Sequence, residues 1–446
     1  MNKNISRREL LKVLAVVAGK LGLGALTGCA PQAGRAAQDL EPRAYLPLVM
    51  GGEESSAVIP TPTDSAMIPT PTNTPTLTPT STRTPTPTST ATSTPTPTPH
   101  IPIPPPTGSR VVHVHNASAT FWNGQTDFWN YVNQTTVDTM VDQGMMALTG
   151  TSTVAEAWDS LLPNYSPGEI VAIKVNFNNS TACNDADAQI DALMQPVNAV
   201  VRGLKLIGVP EANIWIYDAS RRIPDRFVAA NLYPNVVFLD RECRQSVTWS
   251  SDDPDAYVTF LPPPGHPAPP ATRIDDVLID CAYLINMPIM KPHGIAGITL
   301  TFKNHFGDIT SPWNLHPYID LGDANYRSDY NPLVDIYCNP HIVGKTILVI
   351  GDGLVASLAF DGPPSLWGTF GNHTPNSLFF ATDPVAIDCV MCDFLAAEMS
   401  IPAEADDYLV LAEQAGLGTY ERGDPWGAGY TVIDYVKIGG PNGSPL

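Results

Sequence analysis

The chain of 446 residues carries 24 Lys+Arg against 44 Asp+Glu; its first 107 residues hold 8 and 6 of these, leaving 16 basic and 38 acidic side chains in residues 108–446. A surface this acidic repels phosphate backbones and anionic lipid headgroups, which argues against nucleic-acid binding and electrostatic membrane docking. Residues 60–107 contain 15 Pro and 18 Thr and cannot bury a core, so folding falls to the 339 residues that follow, enough for one large domain or two.

In chain order, Ser6-Arg7-Arg8-Glu9-Leu10-Leu11-Lys12 and a mildly apolar run over 13–26 form a twin-arginine export signal. Lys20 and several Gly interrupt the run, which is too short and too polar for a lasting membrane span. Leu26-Thr27-Gly28-Cys29 resembles the lipobox of bacterial lipoproteins. It implies a signal over 1–29 and lipidation of Cys29; an uncleaved anchor helix is the alternative. Either places the protein on the outer face of the cytoplasmic membrane, exported by the twin-arginine machinery and touching the membrane only through its anchor. That route carries folded cargo, often with a cofactor loaded, and the sequence leaves any cofactor unknown. Residues 30–107 read as a disordered linker whose 48-residue Thr/Pro part would reach on the order of 150 Å in polyproline II geometry.

Beyond it, strand-length apolar runs fall at 110–115, 170–177, 213–218, 236–240, 282–287, 346–351, 378–381 and 432–438. Helical spacing marks 127–147, 154–162, 187–207, 331–337 and 384–399. The alternation predicts an α/β domain over 108–446, with a mostly parallel or mixed sheet covered by helices on both faces. The Pro-rich stretch 261–270 reads as a surface loop or a seam between lobes.

Only six lysines follow the linker: Lys174, Lys205, Lys291, Lys303, Lys345 and Lys437. Lys174 and Lys291 end near-continuous apolar runs, and strand C-termini in open α/β sheets form the ligand crevice. Two lysines there would make an anion site; alternatively each pairs with a buried carboxylate or snorkels outward. Lys174-Val175-Asn176, the segment Asn286 to His293 with its N-x-P-x-x-K-x-H pattern, and Thr299 to Gly307 with T-x-x-x-K-N-x-F-G resemble the signature of domain-of-unknown-function family 362. Asp352-Gly353, Gly362-Pro363 and the D-P-x-A-x-D stretch from Asp383 to Asp388 are similar to its later motifs. The resemblance spans residues 168–440 and implies no established activity. Some members carry ferredoxin-like cysteine clusters, which this chain lacks.

These segments offer three cations (Lys174, Lys291, Lys303), neutral donors and acceptors (Asn176, Thr299, Asn304) and His293, which titrates near neutrality. Thr299 and Lys303 would share a face if their segment is helical. The set suits a carboxylate or phosphate. A desolvated Lys among other cations can act as base or nucleophile, which makes Lys291, His293 and Lys303 the candidate catalytic residues. Asp383 before Pro384 reads as a helix N-cap. Asp388 inside that helix needs a buried partner, with a lysine as candidate, and Asp352 reads as a ligand contact or a turn residue.

With Cys29 assigned to lipid, six cysteines remain, allowing 15 pairings. Cys389 and Cys392, with Cys338 and His341, have zinc-like spacing, but the first pair reads as core, and no metal is expected. His113 and His115 share one side of a strand and read as packing, as do Trp122, Phe128, Trp129 and Tyr131. No nucleotide loop, G-x-S-x-G or H-E-x-x-H occurs. Three functions stay open: an enzyme acting on a small anionic molecule, a tethered anion- or cofactor-binding protein without turnover, and a redox partner using a bound metal.

Overall fold

The computed structural model describes residues 109–439; the export signal, Cys29, the Thr/Pro tract and the last seven residues lie outside the described residues. Nine strands form one sheet: β1 (Arg110–His115), β2 (Val171–Lys174), β3 (Ile214–Asp218), β4 (Val237–Asp240), β5 (Gln245–Ser246), β6 (Tyr283–Asn286), β9 (Thr346–Gly353), β10 (Ser377–Ala381) and β11 (Asp434–Ile438). β7 (Lys291–His293) and β8 (Gly297–Thr299) make a separate hairpin. The sheet order is β11-β1-β10-β9-β6-β2-β3-β4-β5. β10 runs against both of its neighbours and all other pairings are parallel, so the α/β expectation holds.

Side chains alternate between two cores. Val112, Ile173, Ile285, Ile350 and Phe380 enter one core, shared with helices α1 (Gln134–Thr149), α2 (Val154–Leu161) and α3 (Met194–Leu206). Val111, Ala172, Leu284, Val349 and Phe379 enter the other, covered by α4 (Pro384–Glu398) and α5 (Asp407–Gln414). Because the strand period is two and both faces are covered, each strand is apolar on both sides, which is why the runs read as nearly continuous.

Local chemistry fixes the helix ends. Asn133 accepts from the Thr136 N–H, so the pattern expected over 127–147 splits into a 3-10 turn, Phe128–Tyr131, and α1. Thr153 and Glu156 form a capping box on α2. Asp383 accepts from the N–H groups of Val385 and Ala386 with Pro384 in the first turn, the cap read from sequence. α3 starts at Met194, later than the expected 187, because the preceding chain is held open: Asp191 pairs with Arg226 at 2.9 Å.

His113 has both ring nitrogens in hydrogen bonds, to the Tyr435 and Ser377 hydroxyls, and stacks on Phe379. His115 stacks on Phe370. Cys389 and Cys392 are buried in α4, and burial pushes both thiols up, the second to about 12, so they act as small apolar groups. Cys183 and Cys243 form a disulfide that ties the loop after β2 to the loop after β4 across 60 residues. Closing a loop of that length contributes about 2–4 kcal/mol. Reduction is therefore expected to lower the urea-unfolding free energy by about that amount, and Cys183→Ser should match the reduced protein; an unchanged midpoint would count against the bridge.

Candidate functional site

Across β2 and β6, Lys174 and Asn286 stand in register. From β2 the chain goes to β3 on one side; from β6 it goes to β9 on the other. Where parallel strands send their connections opposite ways, the loops part and leave a crevice at the strand C-termini. The β7–β8 hairpin, the single helical turn Thr301–Asn304 and the 3-10 turn His305–Asp308 descend into it, around a cavity of about 120 Å³.

Lys174 lines the floor but is already engaged. Its Nζ donates to the Val175 carbonyl at 2.6 Å and lies 3.5 Å from Asp218 and 3.8 Å from Asp308. Gly307 makes this possible, since a Cβ there would stand 2.7 Å from Nζ. Of its alternatives, the pairing with buried carboxylates is the one seen. Nearby Asp275 is held well above the usual carboxylate range by burial and by Asp308.

Asn176 and Asn304 belong to a buried chain of hydrogen bonds. Asn176 donates to Asn304 at 3.0 Å, Asn304 to Asn286 at 2.7 Å, and Asn286 to His305 Nε2 at 3.0 Å. The proton of His305 is thereby placed on Nδ1, which donates to Asp308 at 2.7 Å. The segment from Lys303 to Gly307 thus has a job for each residue: Asn304 and His305 anchor the turn, Gly307 clears Lys174, and Phe306 lies under Lys303.

Lys303 is only 8% exposed, lines the cavity, and forms no hydrogen bond or ion pair among the described residues. Its Nζ sits 3.8 Å from the centre of the Phe306 ring. Burial first, then the charges of Lys291 and Arg221, lower its pKa to about 7. The ring favours the ammonium by ~0.5–2 kcal/mol, which does not offset a fall of about 5 kcal/mol; the amine therefore exchanges its proton near neutrality, with both forms populated at pH 7. Thr299 also lines the cavity, but from β8 and not from a shared helix, because Leu300 is extended between them. Its hydroxyl donates to the Pro292 carbonyl at 3.3 Å.

His293 lines the cavity as a neutral ring. Its Nδ1 accepts from the N–H groups of Ile295 and Ala296 at 3.3 and 3.1 Å, which leaves the proton on Nε2. Burial, Lys303 and Lys291 hold its pKa far below the ordinary value. Lys291 stands beside this cavity and does not line it: its Nζ donates to the Phe360 carbonyl at 2.8 Å and to Asn179 at 3.3 Å. Burial lowers its pKa to about 8 against the opposing pull of Asp191.

Asp352 and Asp388 do not reach the cavity. Asp352 accepts from the Leu354 N–H at the end of β9 and is pushed up to about 7 by burial. Asp388 has no lysine partner. It accepts from the N–H groups of Thr301 and Phe302 and from the Tyr408 hydroxyl, because the turn bearing Lys303 points its free amides at α4. Burial raises it to about 7 as well.

Sequence reading missed Arg221, Arg241, Trp313 and His316, which also line the cavity together with Asn178, Ser220, Pro312 and the Asp218 that pairs with Lys174. The signal for the arginines was the rule already used for the lysines: Arg241 follows the last residue of β4, and Arg221 lies three residues after β3. Arg221 donates to Asn178 at 3.0 Å, and neither arginine pairs with a carboxylate among the described residues. Their backbones are joined, Arg241 N–H to Arg221 carbonyl, at 3.0 Å.

The profile of a domain of unknown function, DUF362, matches residues 171–393, half of the chain, and the protein belongs to that family. No curated protein matches it. Among solved structures, the lactate racemase apoprotein from Thermoanaerobacterium thermosaccharolyticum is similar at 13% identity and a TM-score of 0.36, with 59% of this chain and 56% of that one covered. A Thermotoga maritima protein is similar at 10% identity and a TM-score of 0.27, with 58% of each chain covered. The chain spans less than two thirds of either structure's length.

A buried, unpaired amine opposes folding. Lys303→Met, which keeps the apolar stem, is expected to raise the unfolding free energy by on the order of 3 kcal/mol at pH 7. The unfolded chain keeps this proton up to about 10.5 while the native site releases it near 7, so wild-type stability rises over that window and the advantage of the variant shrinks. Denaturant titrations at pH 7 and 9 check both the gain and its decline; a gain that does not depend on pH would contradict the desolvation of Lys303.

Proposed function

We propose that this DUF362 protein is an enzyme carrying out acid–base chemistry on a small carboxylate or phosphate, with Lys303 as the base. The observation that carries the reading is a cavity lined by Lys303, Arg221 and Arg241, none paired with a carboxylate, in a domain with 38 acidic and 16 basic residues. Of the domain's other cations, eight have carboxylate partners, and Lys291, Lys345, Lys437, Arg273 and Arg327 donate to backbone carbonyls. Among the described residues the side chains of Lys303 and Arg241 have neither kind of partner, and both line the cavity. In this reading Arg221 and Arg241 hold the anion, since guanidinium suits carboxylate and phosphate geometry. Lys303, near half-protonated at neutrality, accepts the proton. Neutral His293 donates a hydrogen bond through Nε2 to the oxygen on which charge develops, and does not itself ionise.

The domain would work outside the cytoplasmic membrane, held through Cys29 and the Thr/Pro tract. The Cys183–Cys243 disulfide supports this, because such bonds persist in oxidising compartments.

The test is a panel of small carboxylates and phosphates offered to the full-length protein in detergent, read by calorimetry and by turnover. Arg221→Ala and Arg241→Ala are each expected to weaken binding about tenfold or more. Lys303→Arg keeps the charge and should retain binding while abolishing turnover. In the wild type, turnover should rise through about pH 7 as Lys303 loses its proton, and affinity should fall over the same range. Binding with turnover that survives Lys303→Arg would remove Lys303 as base, and binding without any turnover would favour a non-catalytic capture protein.

A further inference from the structure

We infer that Lys303 is also a nucleophile, and that the cavity takes a small oxo acid whose ketone or aldehyde carbon becomes bonded to the Lys303 nitrogen as a Schiff base. This rests on the reading of the cavity as an anion site and names the substrate class within it.

Four features converge. The Lys303 Nζ has no acceptor holding its hydrogens and no carboxylate neutralising it, so its lone pair is available whenever the amine is neutral, and burial beside Lys291 and Arg221 makes that form abundant near pH 7. Arg221 and Arg241 supply a charged end for a carboxylate at the same cavity. His293 presents Nε2–H as a fixed donor, because two backbone amides occupy Nδ1, and a carbonyl oxygen polarised there leaves its carbon open to attack. The Phe306 ring, 3.8 Å from Nζ, stabilises a cation at that nitrogen, and a protonated Schiff base is such a cation.

The step balances within these groups. The amine lone pair forms the C–N bond while the carbonyl π pair moves to oxygen. Both amine hydrogens then leave with that oxygen as water, through solvent, as the C–O bond breaks and C=N forms. The imine takes one proton from solvent to become the iminium. No oxidant, reductant or metal is consumed. Lys174 and Lys291 are poorly placed for this role, since each donates to a carbonyl at 2.6 and 2.8 Å.

The experiment incubates full-length protein with pyruvate and sodium cyanoborohydride, followed by intact mass and peptide mapping, with thermal shift recorded in parallel for pyruvate, propionate and inorganic phosphate. The expected result is one adduct per chain, heavier by one pyruvic acid less an oxygen atom, mapped to Lys303 and reduced at least tenfold in both Lys303→Arg and Lys303→Met, each checked for a cooperative melting transition. Propionate, which has no carbonyl, should slow the labelling. Labelling that maps elsewhere or persists in Lys303→Arg would overturn the inference. So would stabilisation by pyruvate with no adduct, although the anion-site reading would then stand. If none of the three anions stabilises the protein, both the inference and the reading beneath it fail.

Discussion

A fully buried ammonium at the centre of a parallel sheet is the constraint around which this fold is arranged. Lys174 ends β2 with no exposure, and an isolated charge there would cost several kcal/mol. Its neutralisation recruits Asp218 from the end of β3 and Asp308 from the turn after Thr301–Asn304. Asp308 in turn fixes His305, His305 fixes Asn286, and the asparagine chain closes back on the loop after β2. Strand ends and descending turn are thereby locked together, and the position of Lys303 follows, since it is carried by the turn these bonds hold. Asp388 secures the same turn from α4. One lysine is satisfied so that another can be left unsatisfied.

On the proposed reading, the contrast in charge between surface and cavity would act as a filter. A domain with more than twice as many acids as bases repels large polyanions at long range, while Lys303, Arg221 and Arg241 in the lining would act on a small anion only inside the screening distance of ~8–10 Å.

Most of the sheet was legible in the sequence because both faces are covered, so every long strand appears as an apolar run of the right length; seven of the eight expected strands differ from the observed ones by two or fewer residues at either end. The β7–β8 hairpin was not legible. It has three residues per strand, contains Pro292, and turns at Gly294 and Gly297, all of which read as loop. The candidate site was legible as residue types and less so as roles. Lys174, Lys291 and Lys303 look alike in sequence, and only tertiary contacts distinguish a paired lysine, one bound to a carbonyl and a free one. Asp388 was expected to find a cation and instead meets backbone amides, donors that no side-chain pattern records. Arg221 and Arg241 were overlooked because they stand just past strands read for their apolar content.

The reversed strand β10 settles where the ends of the domain lie. With β10 the single antiparallel member between β1 and β9, β1 runs in the same direction as β2 and β6. Arg110, where the chain enters the sheet, is therefore on the rim opposite the strand C-termini that surround the cavity. The first residue of β1 and the residues that line the cavity are thus separated by the length of the strands, and the sheet itself is what connects them.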